Sequence, residues 1–252
     1  MTEIFVNIPQ GHTLICGWNS HALKVLRELE ASGHPVVVVA RRRPEELKNS
    51  AVPVVEGDIS DDETLKRAGV ETATAAIILA ENVGSLPADT VDARSILTAL
   101  AVESLHPEIY SVLEIINPEN ERHAQNANVD NVVYCNRLIA NYIALCASQR
   151  GISDFANDLF SHSDERSSLN TMDLDPKWQG RSIGEVFAAV RAQGDLPLGV
   201  MRRDGNDSRQ VWRHEINPAA ETKAELPMKV IYISCQKPGR NNGGAEARPA
   251  GV

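Results

Sequence analysis

Between residues 12 and 135, short β-branched runs alternate with stretches whose apolar side chains recur at helical spacing. Residues 12–16, 36–40, 52–56, 75–79, 109–116 and 131–134 predict six strands. Several are unbroken apolar runs, such as Val36-Val37-Val38-Val39-Ala40, a pattern that signals burial on both faces of a sheet. Between them, Ala22, Leu23, Leu26 and Leu29 share one face of a helix over residues 20–32, closed by Gly33. Asp61 and Asp62 open a short helix ending near Gly69. Ala93, Ile96, Leu97, Leu100 and Ala101 mark a helix that ends at His106-Pro107, and residues 118–127 form another. Strands alternating with helices in this way predict an α/β fold, a doubly wound, mainly parallel six-stranded sheet.

Beyond it, Asn136 is expected to cap a helix carrying Leu138, Ile139, Ile143 and Cys146 to about Gln149. Gly151 breaks that helix, and residues 152–160 start another at a new angle. The polar stretch 161–168 reads as a linker. A smaller α+β lobe follows, with a helix over 182–192, strands near 198–201, 210–213 and 229–234, and a Gly205-Asn206-Asp207 turn. A lobe this small buries only about 60% of its unfolded surface, so it is expected to pack on another subunit or on the first domain. The Gly-, Pro- and Asn-rich tail is expected to be disordered. The predicted organisation is thus a first domain over 11–135, a helical segment over 136–165, a second lobe over 166–235 and a tail over 236–252.

Composition narrows the function. The chain has 252 residues, 42% hydrophobic and 23% charged, with a net charge of -9. An acidic surface lacks the basic footprint of a nucleic-acid binder, so no nucleic-acid partner is expected. No apolar run approaches the roughly 18 residues of a membrane helix, and the N-terminus does not read as a secretory signal. Cys16, Cys135, Cys146 and Cys235 form no C-x-x-C pair. They read as buried, reduced thiols of a cytoplasmic protein.

In an open α/β sheet, ligands sit beyond the carboxyl ends of the strands where the strand order reverses. Gly17-Trp18-Asn19-Ser20-His21-Ala22 follows the first strand, where a dinucleotide-binding fold carries G-x-G-x-x-G. Only the first glycine is present. The following helix N-terminus still offers N–H groups to an anion, so the turn is either a phosphate seat or a purely structural bend. Arg41 and Arg42 end the second strand, where a carboxylate would normally hold a ribose. They either grip a 2′-phosphate or a mononucleotide's phosphates, or are merely solvated. Gly57-Asp58 and Glu81-Asn82 place carboxylates on the same rim, for a base, a ribose or a hard cation, or for solvent. Asp89 and Asp92 read as first-turn acids of a helix. The seven histidines show no metal-ligand spacing, and no nucleophile elbow is present.

Leu14-Ile15-Cys16-Gly17-Trp18-Asn19, Val55-Glu56-Gly57-Asp58, Leu65-Lys66-Arg67-Ala68-Gly69-Val70 and Ile77-Ile78-Leu79-Ala80-Glu81-Asn82 occur in that order. Ser85-Leu86-Pro87-Ala88-Asp89, Ala93-Arg94-Ser95-Ile96-Leu97, Trp178-Gln179-Gly180-Arg181-Ser182-Ile183-Gly184-Glu185 and Pro197-Leu198-Gly199-Val200-Met201-Arg202-Arg203 follow. The succession resembles the regulator of potassium conductance (RCK) domains, made of TrkA-N and TrkA-C parts. The resemblance implies a Rossmann-like N-lobe over 11–135 and a helix-turn-helix over 136–165 that pairs subunits, from dimer to octameric ring. It further implies a C-lobe over 166–235 and a potassium channel pore or transporter membrane subunit as partner. It implies a ligand-sensing regulator and not an enzyme. The candidate nucleotide-binding residues are Gly17, Trp18, Asn19, Ser20, Arg41, Arg42, Asp58, Ile59, Glu81 and Asn82. With arginines at the second strand's end, ADP, ATP, AMP or NADP is expected ahead of NAD, and a divalent cation such as calcium is an alternative ligand. An NAD(P)-dependent oxidoreductase and a soluble nucleotide-responsive adaptor unrelated to potassium are the competing readings.

Overall fold

The computed structural model describes residues 8–81, 86–160, 167–203 and 212–235. They fall into two compact units that divide between Ile152 and Ser153.

The first unit holds β1 (Thr13–Cys16), β2 (Val36–Ala40), β3 (Val54–Glu56), β4 (Ala75–Ile78), β5 (Tyr110–Ile115) and β6 (Asn131–Tyr134). All pair in parallel, in the order β3-β2-β1-β4-β5-β6. The six expected strands are therefore present as a doubly wound sheet. The chain runs outward from β1 to β3 and then returns to β1's other side with β4, so the switch point lies between β1 and β4. Successive strand residues point to opposite faces. Leu14, Cys16, Val37, Val39 and Ile78 enter one apolar cluster, with Leu65 from α2 (Asp62–Arg67), Ala68 from that helix's C-cap, Ala99 and Val102 from α3 (Ala88–Leu105) and Ala124 from α4 (Glu121–Asn126). Ile15, Val36, Val38 and Ala40 enter a second cluster with Ala22 and Leu26 of α1 (Ala22–Ala31). Two apolar layers explain why these strands read as unbroken hydrophobic runs.

Boundaries differ where local chemistry intervenes. β3 starts at Val54, because Pro53 has no N–H to give, although its carbonyl accepts from Val38 at 2.9 Å. A 3-10 turn over Pro118–Asn120 precedes α4. Asn136 does not cap the next helix, α5 (Cys135–Ser148). Tyr134 occupies the cap position without a side-chain bond, because β6 runs directly into the helix. Asp92 is a second correction. It lies in α3's second turn, fully buried, and its carboxylate accepts from the N–H groups of Ile116 (2.8 Å) and Asn117 (2.9 Å) and from Asn120 Nδ2 (2.8 Å). It organises the exit from β5 and is not a solvated dipole partner; Asp89 alone occupies the first turn.

α5 buries none of its side chains, and Leu138, Ile139, Ile143 and Leu145 are exposed. Gly151, at φ +82°, turns the chain into α6 (Ile152–Phe160), where Phe155 and Phe160 are exposed. The cysteine expectation holds for Cys16, which is buried, but Cys135 and Cys146 on α5 are only half-buried free thiols.

The second unit is an antiparallel sheet in the order β7-β10-β8-β9, formed by β7 (Ser167–Asp173), β8 (Leu196–Arg203), β9 (Trp212–Ile216) and β10 (Met228–Cys235). Ile183, Val186 and Val190 of α7 (Ile183–Ala192) pack with Val200, Met228 and Val230. Ser182 and Glu185 exchange side-chain-to-backbone bonds as a capping box, which fixes α7's start. Ser167 and Ser168 belong to β7, not to a linker, since the strand pairs with β10 as far as Cys235. Linker residues 161–166, the Gly205-Asn206-Asp207 turn and the tail from 236 lie outside the described residues.

Candidate functional site

Gly17 leaves β1 at φ +93°, and a Cβ there would lie 2.8 Å from the Leu79 carbonyl oxygen. Its N–H donates to Val39 O at 2.9 Å. Conformation and space both demand glycine, and the turn crosses between the ends of β2 and β4. Trp18 is half-buried against the α1-side apolar cluster, and Ser20 is exposed. Asn19, standing where a dinucleotide fold has its second glycine, has become a tether. Its Nδ2 donates to Glu114 Oε2 (2.9 Å) and Ala80 O (3.3 Å), and its Oδ1 accepts from the His21 N–H (3.2 Å).

Arg41 projects from the end of β2 and spans the mouth of β1. Its Nη2 donates to Asp58 Oδ2 at 3.1 Å and its Nε to Glu81 Oε2 at 3.3 Å. The sheet order makes this possible, because β2 has β3, which leads to Asp58, on one side and β1 on the other, with β4, which leads to Glu81, beyond β1. Asp58 Oδ1 accepts from the Ser60 N–H (3.0 Å) and hydroxyl (2.8 Å). Those bonds, the backbone one foremost, and the Arg41 and Arg94 charges outweigh partial burial and hold the Asp58 carboxyl below its usual range. A depressed carboxyl stabilises the fold above its ordinary pKa, and the contribution is lost as pH falls through the lower folded value. The Arg41–Asp58 pair is nearly half exposed, so solvent weakens it.

Gly17, Arg41, Asp58 and Glu81 therefore come together at the switch point. Ile59 lies beneath, 4% exposed, as part of the apolar floor under the Gly17 turn. Arg42 is exposed, and Arg43 is bound to the Leu47 and Ser50 carbonyls of its own loop. Asn82 lies outside the described residues. Sequence reasoning missed Arg94 and Ser95 of α3, which line the hollow beside Arg41 and Asp58. It also missed Glu114, a 6% exposed acid in an otherwise apolar strand end, which accepts from the Ala80 N–H at 2.9 Å. Its one visible signal is a charge within Val112-Leu113-Glu114-Ile115-Ile116, a run that the fold buries.

The TrkA-N domain model matches residues 13–135. TvoK, a calcium-gated potassium channel of Thermoplasma volcanium, is 26% identical over 160 residues, covering 62% of this chain and 45% of its own length. YugO, a candidate potassium channel protein of Bacillus subtilis, is 28% identical over 131 residues, covering 51% of this chain and 39% of its own. The human SLO3 gating ring shares the fold at a TM-score of 0.63 and 15% identity, over 88% of this chain and 44% of that one. The chain spans less than half the length of each of these three proteins. No helix among the described residues is long and apolar enough to cross a membrane. The doubly wound sheet and the Gly17 turn both lie within residues 13–135, the segment that matches the TrkA-N domain.

Proposed function

We propose that this chain is a cytoplasmic ligand-sensing module that controls a potassium channel or transporter, binding an adenine nucleotide in the cleft of Gly17, Arg41, Asp58 and Glu81. The observation that supports this most is Arg41, poised between two carboxylates across the mouth of β1, above a glycine-only turn. Phosphate oxygens compete with Asp58 and Glu81 for the guanidinium, while the released carboxylates accept ribose or base donors. Trp18, Asn19, Ser20, Arg42 and Ile59 complete the proposed set as wall, tether, rim and floor, and Asn82 joins it on its sequence position beside Glu81. Asp58 and Glu81 are also oxygen donors for a divalent cation, the alternative effector, as a calcium-gated relative suggests.

The reading assigns binding without turnover. Segment 136–165 is the proposed pairing segment between subunits, α5 and α6 each exposing apolar residues, and 166–235 the second lobe of the ring's repeating unit. Ligand biases a ring only through its differential affinity for two arrangements. Couplings of about 1–3 kcal/mol per site add across the subunits of an assembly.

Calorimetric titration of the chain with ADP, ATP, AMP, NADP and NAD tests the cleft. Asp58→Ala and the paired Arg41→Ala/Arg42→Ala are each expected to weaken nucleotide binding by about tenfold or more, with charge-assisted bonds lost and the melting temperature little changed. Binding that is unaltered in both variants removes these residues from the site. Native mass spectrometry tests pairing separately. Dimers or larger even-numbered assemblies are expected, and Leu138→Glu with Ile143→Glu on α5 is expected to return them to monomers.

A further inference from the structure

One corner of the first unit gathers donors of a different kind. His21 stands at the start of α1, Glu114 near the end of β5 and Cys135 at the first position of α5. Far apart in sequence, their donor atoms all lie within 4.8 Å of one another. His21 Nε2 is 2.9 Å from Glu114 Oε1. We propose that His21, Glu114 and Cys135 form a binding site for a divalent transition-metal ion of the zinc class, with a fourth position left to water.

Four features argue for it. Imidazole, thiolate and carboxylate together suit zinc-class ions, whereas calcium and magnesium take oxygen ligands alone. Tetrahedral coordination with bonds of about 2.0–2.3 Å sets donors roughly 3–4 Å apart, so only small side-chain shifts separate the present cluster from a coordinating one. The carboxylate is already oriented from behind. Glu114 Oε2 accepts from the Ala80 N–H (2.9 Å) and Asn19 Nδ2 (2.9 Å), leaving Oε1 turned toward His21. That is the supporting arrangement that positions metal ligands. Finally, charge balances: one carboxylate, itself buried, and one thiolate neutralise a dication, while the His21 side chain, 44% exposed, leaves an entry path.

On binding, the Cys135 S–H bond breaks, its proton passes to solvent, and sulfur bonds to the metal. The proton that His21 Nε2 shares with Glu114 Oε1 passes to solvent and the ring holds a single proton on Nδ1, so that the Nε2 lone pair faces the ion. Nothing is oxidised or reduced. Bound metal would pin the first turn of α5 to β5 and to the loop that enters α1. The site does not depend on the nucleotide reading, and the experiment omits nucleotide.

The full chain, stripped with a chelator, is titrated with cobalt(II) and zinc(II) alone. One equivalent of cobalt is expected to bind with the near-ultraviolet charge-transfer band of a thiolate ligand, and zinc is expected to displace it while excess magnesium does not. Cys135→Ser is expected to abolish the band and to weaken zinc binding by about 100-fold; His21→Ala is expected to weaken it by at least about tenfold. Cys146→Ser, on the same helix, is expected to leave both readouts intact. Absence of stoichiometric zinc binding, a band that survives Cys135→Ser, or one lost in Cys146→Ser overturns the site. Thermal melts of the metal-free variants confirm that they fold. Glu114 is not substituted, because its removal leaves the Ala80 N–H buried without an acceptor.

Discussion

Asp92→Ala is expected to lower the unfolding free energy of the first unit by about 3 kcal/mol. The carboxylate is fully buried and accepts three bonds, two of them from consecutive backbone N–H groups at the exit of β5. Removal discards charge-assisted bonds worth about 1.5–3 kcal/mol each and strands the Ile116 and Asn117 donors, with water recovering part of the loss. In a unit of this size, that corresponds to a melting temperature lower by about 6–12 °C. Asp92→Asn keeps the shape but replaces one acceptor oxygen with a donor, so about half the effect is expected. Asp89→Ala sets the baseline, since among the described residues Asp89 accepts from the exposed side-chain amides of Asn117 and Asn120. Equal melting of the Asp89 and Asp92 variants would show that the buried network contributes nothing. Urea denaturation followed by circular dichroism measures all three.

Asp92 also marks the boundary of what the sequence reveals. Its role as a first-turn acid rests on a local rule, the preference of a helix start for negative charge. The acceptors' true partners lie 24 and 25 residues further on, and only the sheet brings them within reach. The six strands were legible because burial on both faces writes itself into each strand's own composition, as Val36 to Ala40 show by feeding two separate clusters. The Gly17 turn was legible for a similar reason, since a sharp bend after a buried strand needs glycine locally. Arg41's partners were not. Asp58 and Glu81 each read as rim residues, yet their meeting on one guanidinium follows from β2 standing beside β3, with β4 on the far side of β1, a fact of strand order and not of spacing. Convergence of His21, Glu114 and Cys135 was hidden still more completely, because metal-ligand spacing is a test for ligands on one loop or helix, and these come from three elements. The start of α5 failed for the opposite reason: Asn136 is a good capping residue by type, but a strand that runs straight into a helix leaves no cap for it to fill.

Gly17→Ala is expected to be the most damaging single-methyl change in the cleft, lowering stability by about 3–4 kcal/mol and removing the proposed nucleotide binding with it. Two terms add. An L-residue in the left-handed region costs about 1–2 kcal/mol, and φ at Gly17 is +93°. The second term is steric. The new Cβ would sit 2.8 Å from the Leu79 carbonyl oxygen, and that backbone is not free to retreat, because the Leu79 N–H donates to Cys16 O at 2.9 Å. Displacing the turn instead breaks the Gly17 N–H bond to Val39 O and pulls Asn19 from Glu114 and Ala80. Gly33→Ala separates the terms. Gly33 has a similar conformation, φ +77°, but a Cβ there would meet nothing within 4 Å. It is therefore expected to cost only about 1 kcal/mol and to leave the cleft intact. If the two variants melt together, strain alone accounts for both, and the tight crossing of the Gly17 turn over β4 does not constrain the site; if Gly17→Ala melts well below Gly33→Ala and calorimetry finds nucleotide binding lost only in the former, the close approach to Leu79 sets the floor of the proposed phosphate seat.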